Sequence, residues 1–275
     1  MNGIITAVLI FLALGAGIGI LLAIASKVFS VKTDERIEAI CDALPGANCG
    51  GCGYAGCSAL AESIVKGEAK TNACTVGGDE VAASVAAIMG QKAEKANRMR
   101  AQVMCSGTKE CSEKKLDYDG IEDCRAAAAI GGGDKMCPNG CIGLGTCAAA
   151  CPFGAISVEN GVAVVDYARC RGCGVCVASC PKGIIELIPY DSRHWVGCKS
   201  VADAAVTRKV CEMGCIGCGL CVRNCPEGAI VVENHVAHID YSKCTGCDTC
   251  VSKCPRKIIW SATTCGPDGI YITRL

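Results

Sequence analysis

The sequence predicts an α+β chain built from small cysteine-rich modules behind one apolar helix. Three observations carry that reading: 27 cysteines among 275 residues, an uncharged stretch at 4–25, and an internal duplication in the C-terminal half. So high a cysteine fraction marks either a disulfide scaffold or a metal protein. The cysteine total is odd, many of the cysteines fall in C-x2-C groups followed by proline, and no cleavable secretion signal precedes them, which favours metal. Aromatic residues make up only 4 %, so small modules held by bound groups are expected rather than one large core. Formal net charge is zero, and no global field points to nucleic acid as a partner.

The uncharged stretch is IITAVLIFLALGAGIGILLAIA. As a helix it would span roughly 33 Å, matching the hydrocarbon core of a bilayer. Lys27 and Lys32 follow it and nothing basic precedes it, so the positive-inside rule places the rest of the chain in the cytoplasm. Residues 1–26 are therefore expected to be a single-pass anchor in the inner (plasma) membrane, with residues 4–25 in lipid. With no ionisable residue inside it, the segment reads as a tether and not as a proton or sodium path.

Residues 27–74 read as a small helical module. Ile37, Ile40, Cys41 and Leu44 have helical spacing after Asp34 and Glu35, which makes Cys41 a core thiol. The loop NCGGCGYAGC then supplies Cys49, Cys52 and Cys57, with Cys74 closing a C-x2-C-x4-C-x16-C set. Four thiolates suit zinc as well as an iron–sulfur cluster. The glycines at 50, 51, 53 and 56 favour the cluster, because they let backbone N–H groups approach the sulfurs. Residues 75–103, rich in Ala, Lys and Glu, are expected to be a helical connector.

Residues 137–181 and 211–255 align without a gap at an offset of 74, with 26 of 45 positions identical. The second copy carries Cys215, Cys218, Cys221, Cys225 and then Cys244, Cys247, Cys250, Cys254. Each run has the C-x2-C-x2-C-x3-C-P spacing of two-cluster bacterial ferredoxins, in which the fourth cysteine of each run serves the other cluster. One cluster would use Cys215, Cys218, Cys221 and Cys254, the other Cys244, Cys247, Cys250 and Cys225. GAIVVENHVAHID between the runs reads as a hairpin. The expected architecture is thus a transmembrane helix, a helical [4Fe–4S] module, and tandem 2[4Fe–4S] ferredoxin modules at 137–197 and 198–275.

In the first copy the same rule gives a complete set of Cys151, Cys170, Cys173 and Cys176. Its partner set has only Cys141, Cys147 and Cys180, because Leu144 stands where the second copy has Cys218. Cys137, four residues before Cys141, is the nearest substitute; the alternative is a three-cysteine [3Fe–4S] site. The insert 104–136 adds Cys105, Cys111 and Cys124, which either join a sixth cluster or are buried thiols. Cys124 and Cys137 share the 74-residue offset with Cys198 and Cys211. Cys265 reads as incidental, and His194, His235 and His238 as surface or loop residues.

The order of anchor, C-x2-C-x4-C-x16-C module and tandem ferredoxin runs resembles RnfB, the iron–sulfur component of the Rnf complexes, which are ion-translocating ferredoxin:NAD oxidoreductases. The resemblance implies five [4Fe–4S] clusters, with a sixth open, and soluble ferredoxin as the electron donor. It also implies partner subunits in the membrane that carry flavins, the NAD site and the Na+ or H+ path. No G-x-G-x-x-G lies between a strand and a helix here, and no acid–base pair or nucleophile is evident, so within this chain the chemistry would be electron relay. Two other readings stay open: a membrane-anchored polyferredoxin serving another oxidoreductase or hydrogenase, and a cluster-based redox sensor.

Overall fold

The computed structural model describes residues 2–28, 34–95, 98–266 and 269–273, and the side chains of 263–275 are outside that description. Helix α1 runs over Asn2–Val28 and exposes Leu9, Phe11, Leu12 and Leu21. Its side chains are not described at Ile4, over 6–8, at Ala23 and beyond Ile24, and among the described residues no helix is long and apolar enough to cross a membrane. The fold thus adds no support to a membrane-spanning 4–25, which rests on the sequence alone. The Lys27 side chain, Lys32 and the Cys265 side chain fall outside the described residues.

Helix α2 (Glu35–Ala43) starts at Asp34, whose carboxylate accepts from the Arg36 N–H at 3.0 Å. It packs with α3 (Cys57–Val65) and α4 (Gly78–Ile88) around Ile40, Leu44, Leu60, Ile64 and Val85, with Cys41 against this core as expected. Only part of the expected helical connector is helix. Residues 78–88 form α4 within the first module, whereas Met99–Val103 form strand β1. The polar appearance of MRAQV misleads because Arg100 and Gln102 are buried. The Arg100 guanidinium donates to the carbonyls of Tyr190 and Ser192 and to Gln102 Oε1, and it lies 3.9 Å from the Tyr167 ring centroid. A buried charge is tolerable when its donors are satisfied in this way.

After α5 (Cys124–Ala129) and α6 (Thr146–Ala149), the first ferredoxin module continues with the hairpin of β2 (Ile156–Glu159) and β3 (Val162–Val165), then α7 (Val175–Ser179) and β4 (Ile185–Pro189). The second module follows the same plan. It comprises β5 (His194–Val196), α8 (Ala204–Val210), α9 (Leu220–Arg223), the expected hairpin of β6 (Ile230–Glu233) and β7 (Val236–Ile239), α10 (Thr249–Lys253), β8 (Ile259–Gly266) and β9 (Gly269–Thr273). Each module has its own core. Ile184 and Ile185 anchor the first and Ile258 and Ile259 the second, all at most 3 % exposed; each such side chain contributes about 1.5–3 kcal/mol through burial.

Strand register reveals an equivalence that the 74-residue offset hides. β1 pairs antiparallel with β4 so that Val103 faces Ile185, and β5 pairs with β8 so that Val196 faces Ile259. Ile185 and Ile259 are repeat equivalents, so Val103 matches Val196 and Cys105 matches Cys198. Met104 N donates to Ile184 O and Gly197 N to Ile258 O, each at 2.7 Å. Cys124, which shares the sequence offset with Cys198, belongs instead to extra chain inserted in the first copy.

Candidate metal centres

In the second copy, Gly217 and Gly219 adopt φ of +60° and +68° and coil the loop so that its cysteines turn inward. Cys215, Cys218, Cys221 and Cys254 line one small cavity with Pro255 and Ile258. Cys225, Cys244, Cys247 and Cys250 line another with Ala229, Ile230 and His194. Each cavity thus takes its fourth cysteine from the other run. Ala229 N donates to Cys225 Sγ at 3.3 Å, and its counterpart Ala155 N donates to Cys151 Sγ at 3.4 Å. Cys151, Cys170 and Cys173 lie around Cys176; burial, then repulsion from Cys170, Cys173, Cys147 and Cys151, pushes the Cys176 thiol up to about 12.

Cys124 lies with the incomplete set. Cys124, Cys141, Cys147 and Cys180 line a small cavity with Ile142, Gly143, Gly145 and Pro181; the repeat equivalents of all of these but Cys124 line the second-copy cavity, where Cys218 stands in its place. Burial, followed by Cys124 and then Cys180, pushes the Cys147 thiol up to about 11. Helix α5 delivers Cys124. Asp123 caps it by accepting from Arg125 N at 2.7 Å and Ala126 N at 3.0 Å. The Thr146 hydroxyl donates to Asp123 Oδ2 and accepts from Cys124 N at 2.6 Å, which locks the helix onto the ligand loop. Leu144 does not face a vacancy; it packs against Cys124, Ala127 and Ile142 beneath α5.

Cys137, the substitute expected from the sequence, does not line this cavity. Cys137 lines a different small cavity, together with Cys105, Cys198 and Cys211. The physical reason is direction: α5 covers the mouth of the Cys141 loop and fills the position that a substitute would need. The fourth cage is nearly two-fold symmetric between the modules. Cys105 Sγ accepts from Gly107 N and Cys141 N, both at 3.4 Å. Cys198 accepts from Ser200 N at 3.5 Å and from the backbone of Cys215, the equivalent of Cys141. Cys111 sits beside this cage, bonded to Ser106 O and Thr108, and its proximity helps hold the Cys211 thiol near 12 after burial, the larger cause. The grouping of Cys105 and Cys111 with Cys124 as one ligand set is therefore not what the fold brings together.

In the first module, burial raises the Cys74 thiol, backbone N–H groups of Gly77 and Val76 oppose the shift, and Cys52 and Cys57 add to it. Cys57 N donates to Asn48 Oδ1 at 2.8 Å, fixing the loop on α3. Gly51 has no room for a side chain, since a Cβ there would lie 2.5 Å from Cys173 O. The cysteine loop of the first module thus rests on the Cys173 loop of the next.

His194 is not a surface residue. It is 1 % exposed on β5, its Nε2 is 2.6 Å from Asp248 Oδ1, and the Ser261 hydroxyl donates to the same oxygen. Its one sequence signal is the neighbouring Trp195, too weak to separate it from His235, which is exposed in the hairpin turn, or from His238, half-buried on β7.

The donor set fits [4Fe–4S] clusters better than zinc. Thiolates around one tetrahedral zinc stand roughly 3.8 Å apart, given Zn–S bonds of about 2.3 Å. Among the described residues no three Cys, His, Asp or Glu side chains converge closely enough to hold a single metal ion. Here the sulfurs surround cavities instead, and backbone N–H groups aim at them, including Ala101 N at Cys170 Sγ. Such N–H···S contacts are how a protein tunes an iron–sulfur group.

Comparison with known proteins accords with this geometry. An Fe-S cluster family profile matches residues 44–76, and 4Fe-4S dicluster domain profiles match 134–181 and 214–258. The B subunit of the Na+-translocating ferredoxin:NAD+ oxidoreductase complex of Acetobacterium woodii is 46 % identical over 88 % of this chain and 73 % of its own length. The B subunit of the ion-translocating oxidoreductase complex of Methanosarcina acetivorans is 43 % identical over 87 % and 91 %. Its counterpart in the proton-translocating ferredoxin:NAD+ oxidoreductase complex of Clostridium ljungdahlii is 42 % identical over 88 % and 86 %. The chain belongs to this family of B subunits. Family membership makes it a component of an oxidoreductase complex with further subunits as partners, and its modules are those of an electron relay.

Proposed function

We propose that this protein takes electrons from reduced soluble ferredoxin and relays them to partner subunits that reduce NAD and move Na+ or H+. The observation that carries the reading is the unbroken succession of cysteine cages. The Cys49 loop touches the Cys173 loop; Cys176 adjoins Cys147; Cys141 N binds Cys105 Sγ; Cys198 binds the backbone of Cys215; and Cys250 adjoins both Cys221 and Cys225. When bound, [4Fe–4S] groups supply one-electron acceptance and release. The chain's own residues hold six such groups in sequence: Cys49/52/57/74, Cys151/170/173/176, Cys124/141/147/180, Cys105/137/198/211, Cys215/218/221/254 and Cys225/244/247/250. Backbone N–H groups orient and polarise the sulfurs, and buried isoleucines such as Ile184 and Ile258 line the cavities.

Residues 4–25 anchor the chain in the bilayer as one spanning helix, with the cysteine modules on the cytoplasmic side. The support is a charge-free run of 22 residues within the 27-residue α1 and the lysines that follow it. Native purification tests the assignment. Flavin-bearing membrane subunits are expected to accompany the chain, and the complex to reduce NAD+ with reduced ferredoxin. Isolation with a hydrogenase and no flavin-bearing partner would favour the polyferredoxin reading instead.

A further inference from the structure

Lys135 is buried, at 5 % exposed, and lies between two of the cages. Its ammonium donates to Gly107 O at 2.6 Å and Gly161 O at 2.9 Å. Gly107 belongs to the central cage, where its N–H binds Cys105 Sγ. Gly161 O lies against Gly143, on the loop of the Cys141 cage, so closely that a Cβ on Gly143 would come within 2.5 Å of it. No carboxylate within 4.0 Å neutralises Lys135 among the described ion pairs; the neighbouring Asp134 faces Lys114. The repeat equivalent, Lys209, is exposed on α8, so the buried charge breaks the near-symmetry of the two modules.

We propose that Lys135 is a fixed positive charge shared by the central cage and the Cys124/Cys141/Cys147/Cys180 cage, and that it raises the reduction potentials of both. A four-iron group held in either cage would gain one negative charge on reduction, and a buried cation bonded to the backbone beside both loops would favour that form in a medium of low dielectric. The first-copy side of the relay then holds electrons more readily than its counterpart around Cys215. This inference rests on the six-cage reading of the chain.

The test uses the full chain with its clusters assembled. Iron and sulfide content come first: about 24 iron atoms per chain supports six four-iron groups, and about 20 refutes the central cage independently of Lys135. Redox titration followed by electron paramagnetic resonance then compares the wild type with Lys135→Gln and Lys135→Arg. Loss of signal in Cys124→Ser and Cys198→Ser assigns the two centres. Glutamine retains N–H donors for Gly107 O and Gly161 O without the charge. It is expected to keep full iron content and to move both assigned midpoints negative by a tenfold or greater change in the reduced-to-oxidised ratio, about 59 mV for one electron. Arginine is expected to keep both midpoints, and the centre around Cys215 is expected not to move in either variant. If the chain proves to hold five groups, the midpoint of the Cys124 centre alone still decides the role of Lys135. Unchanged midpoints in Lys135→Gln overturn the proposal. So does an equal shift in Lys135→Arg, or loss of iron in Lys135→Gln, which would make Lys135 a support for the cage instead of a source of charge.

Discussion

The two ferredoxin modules share 26 of 45 aligned residues yet close equivalent cages differently. In the second, Cys218 comes from the loop itself and is exposed. In the first, Leu144 occupies that loop position, and α5 lies over the loop and brings Cys124 to the same cavity. Thr146, where the second copy has Leu220, supplies the hydroxyl that fixes α5 in place. A local motif can therefore lose a ligand when a neighbouring segment covers the loop and provides one. The exchange also alters the surroundings: Cys218 is exposed, whereas Cys124 is buried on a helix, and Lys135 is buried beside the first-copy loop. Solvent exposure and nearby charge are both means of setting cluster potentials.

The largest expected effect comes from breaking the element that joins the two modules. Cys198→Ser removes a ligand from the central cage, and the account predicts loss of about four iron atoms per chain. Electrons supplied at the Cys244 end then fail to reach the Cys49 group, while the groups on either side stay reducible by dithionite. Stopped-flow reduction with and without the variant checks this. Undiminished transfer would show that the modules communicate by another route.

A smaller loss is expected from Gly51→Ala. The added Cβ would meet Cys173 O at 2.5 Å, closer than real contacts allow, so the Cys49 loop must back away. Transfer between these two groups slows, iron content is retained, and overpacking costs about 1–3 kcal/mol at this contact. Gly53→Ala is the comparison for strain alone: that residue has φ +87° and open space around it. Equal slowing in both variants would remove the contact from the account.

The smallest effect is expected at the cap. Asp123→Ala deletes the acceptor for Arg125 N, Ala126 N and the Thr146 hydroxyl, at a cost of about 1 kcal/mol. Because the cap holds α5 over the first copy, iron at the Cys124 cage becomes more labile to chelators while the Cys215 cage does not. Asp203→Ala, which uncaps α8, serves as the control, since Asp203 accepts from Val206 N on a helix that carries no ligand of that cage.

The legible part of this molecule is its local geometry. Ligands within one C-x2-C-x2-C-x3-C run are set by a single glycine-shaped turn, and spacing alone identifies them, their crossing and the hairpin between runs. What stays hidden depends on long-range direction. Cys105, Cys137, Cys198 and Cys211 come from four separate segments, and nothing in their spacing says that β1 and β5 end on the same side of a pseudo-symmetric interface. The constant offset points to Cys124 as the equivalent of Cys198, whereas register shows that Cys105 is, because the first copy carries extra chain before Cys137. Arg100 and His194 mislead for a related reason. A charged or titratable residue reads as exposed until the carbonyls and carboxylate that satisfy it are seen: Tyr190 and Ser192 for one, Asp248 for the other.

The claim that Cys124 replaces the ligand missing at Leu144 is tested most directly by iron content and electron paramagnetic resonance of Cys124→Ser with and without Leu144→Cys. The single variant is predicted to lose the four-iron signal of this cage, leaving a three-iron signal or none. The double variant is predicted to regain it, because the restored loop cysteine then stands as Cys218 does in the second copy. Full iron and an unchanged spectrum in Cys124→Ser would contradict the account, and loss of the same signal in Cys137→Ser with Cys124 intact would assign the ligand to Cys137.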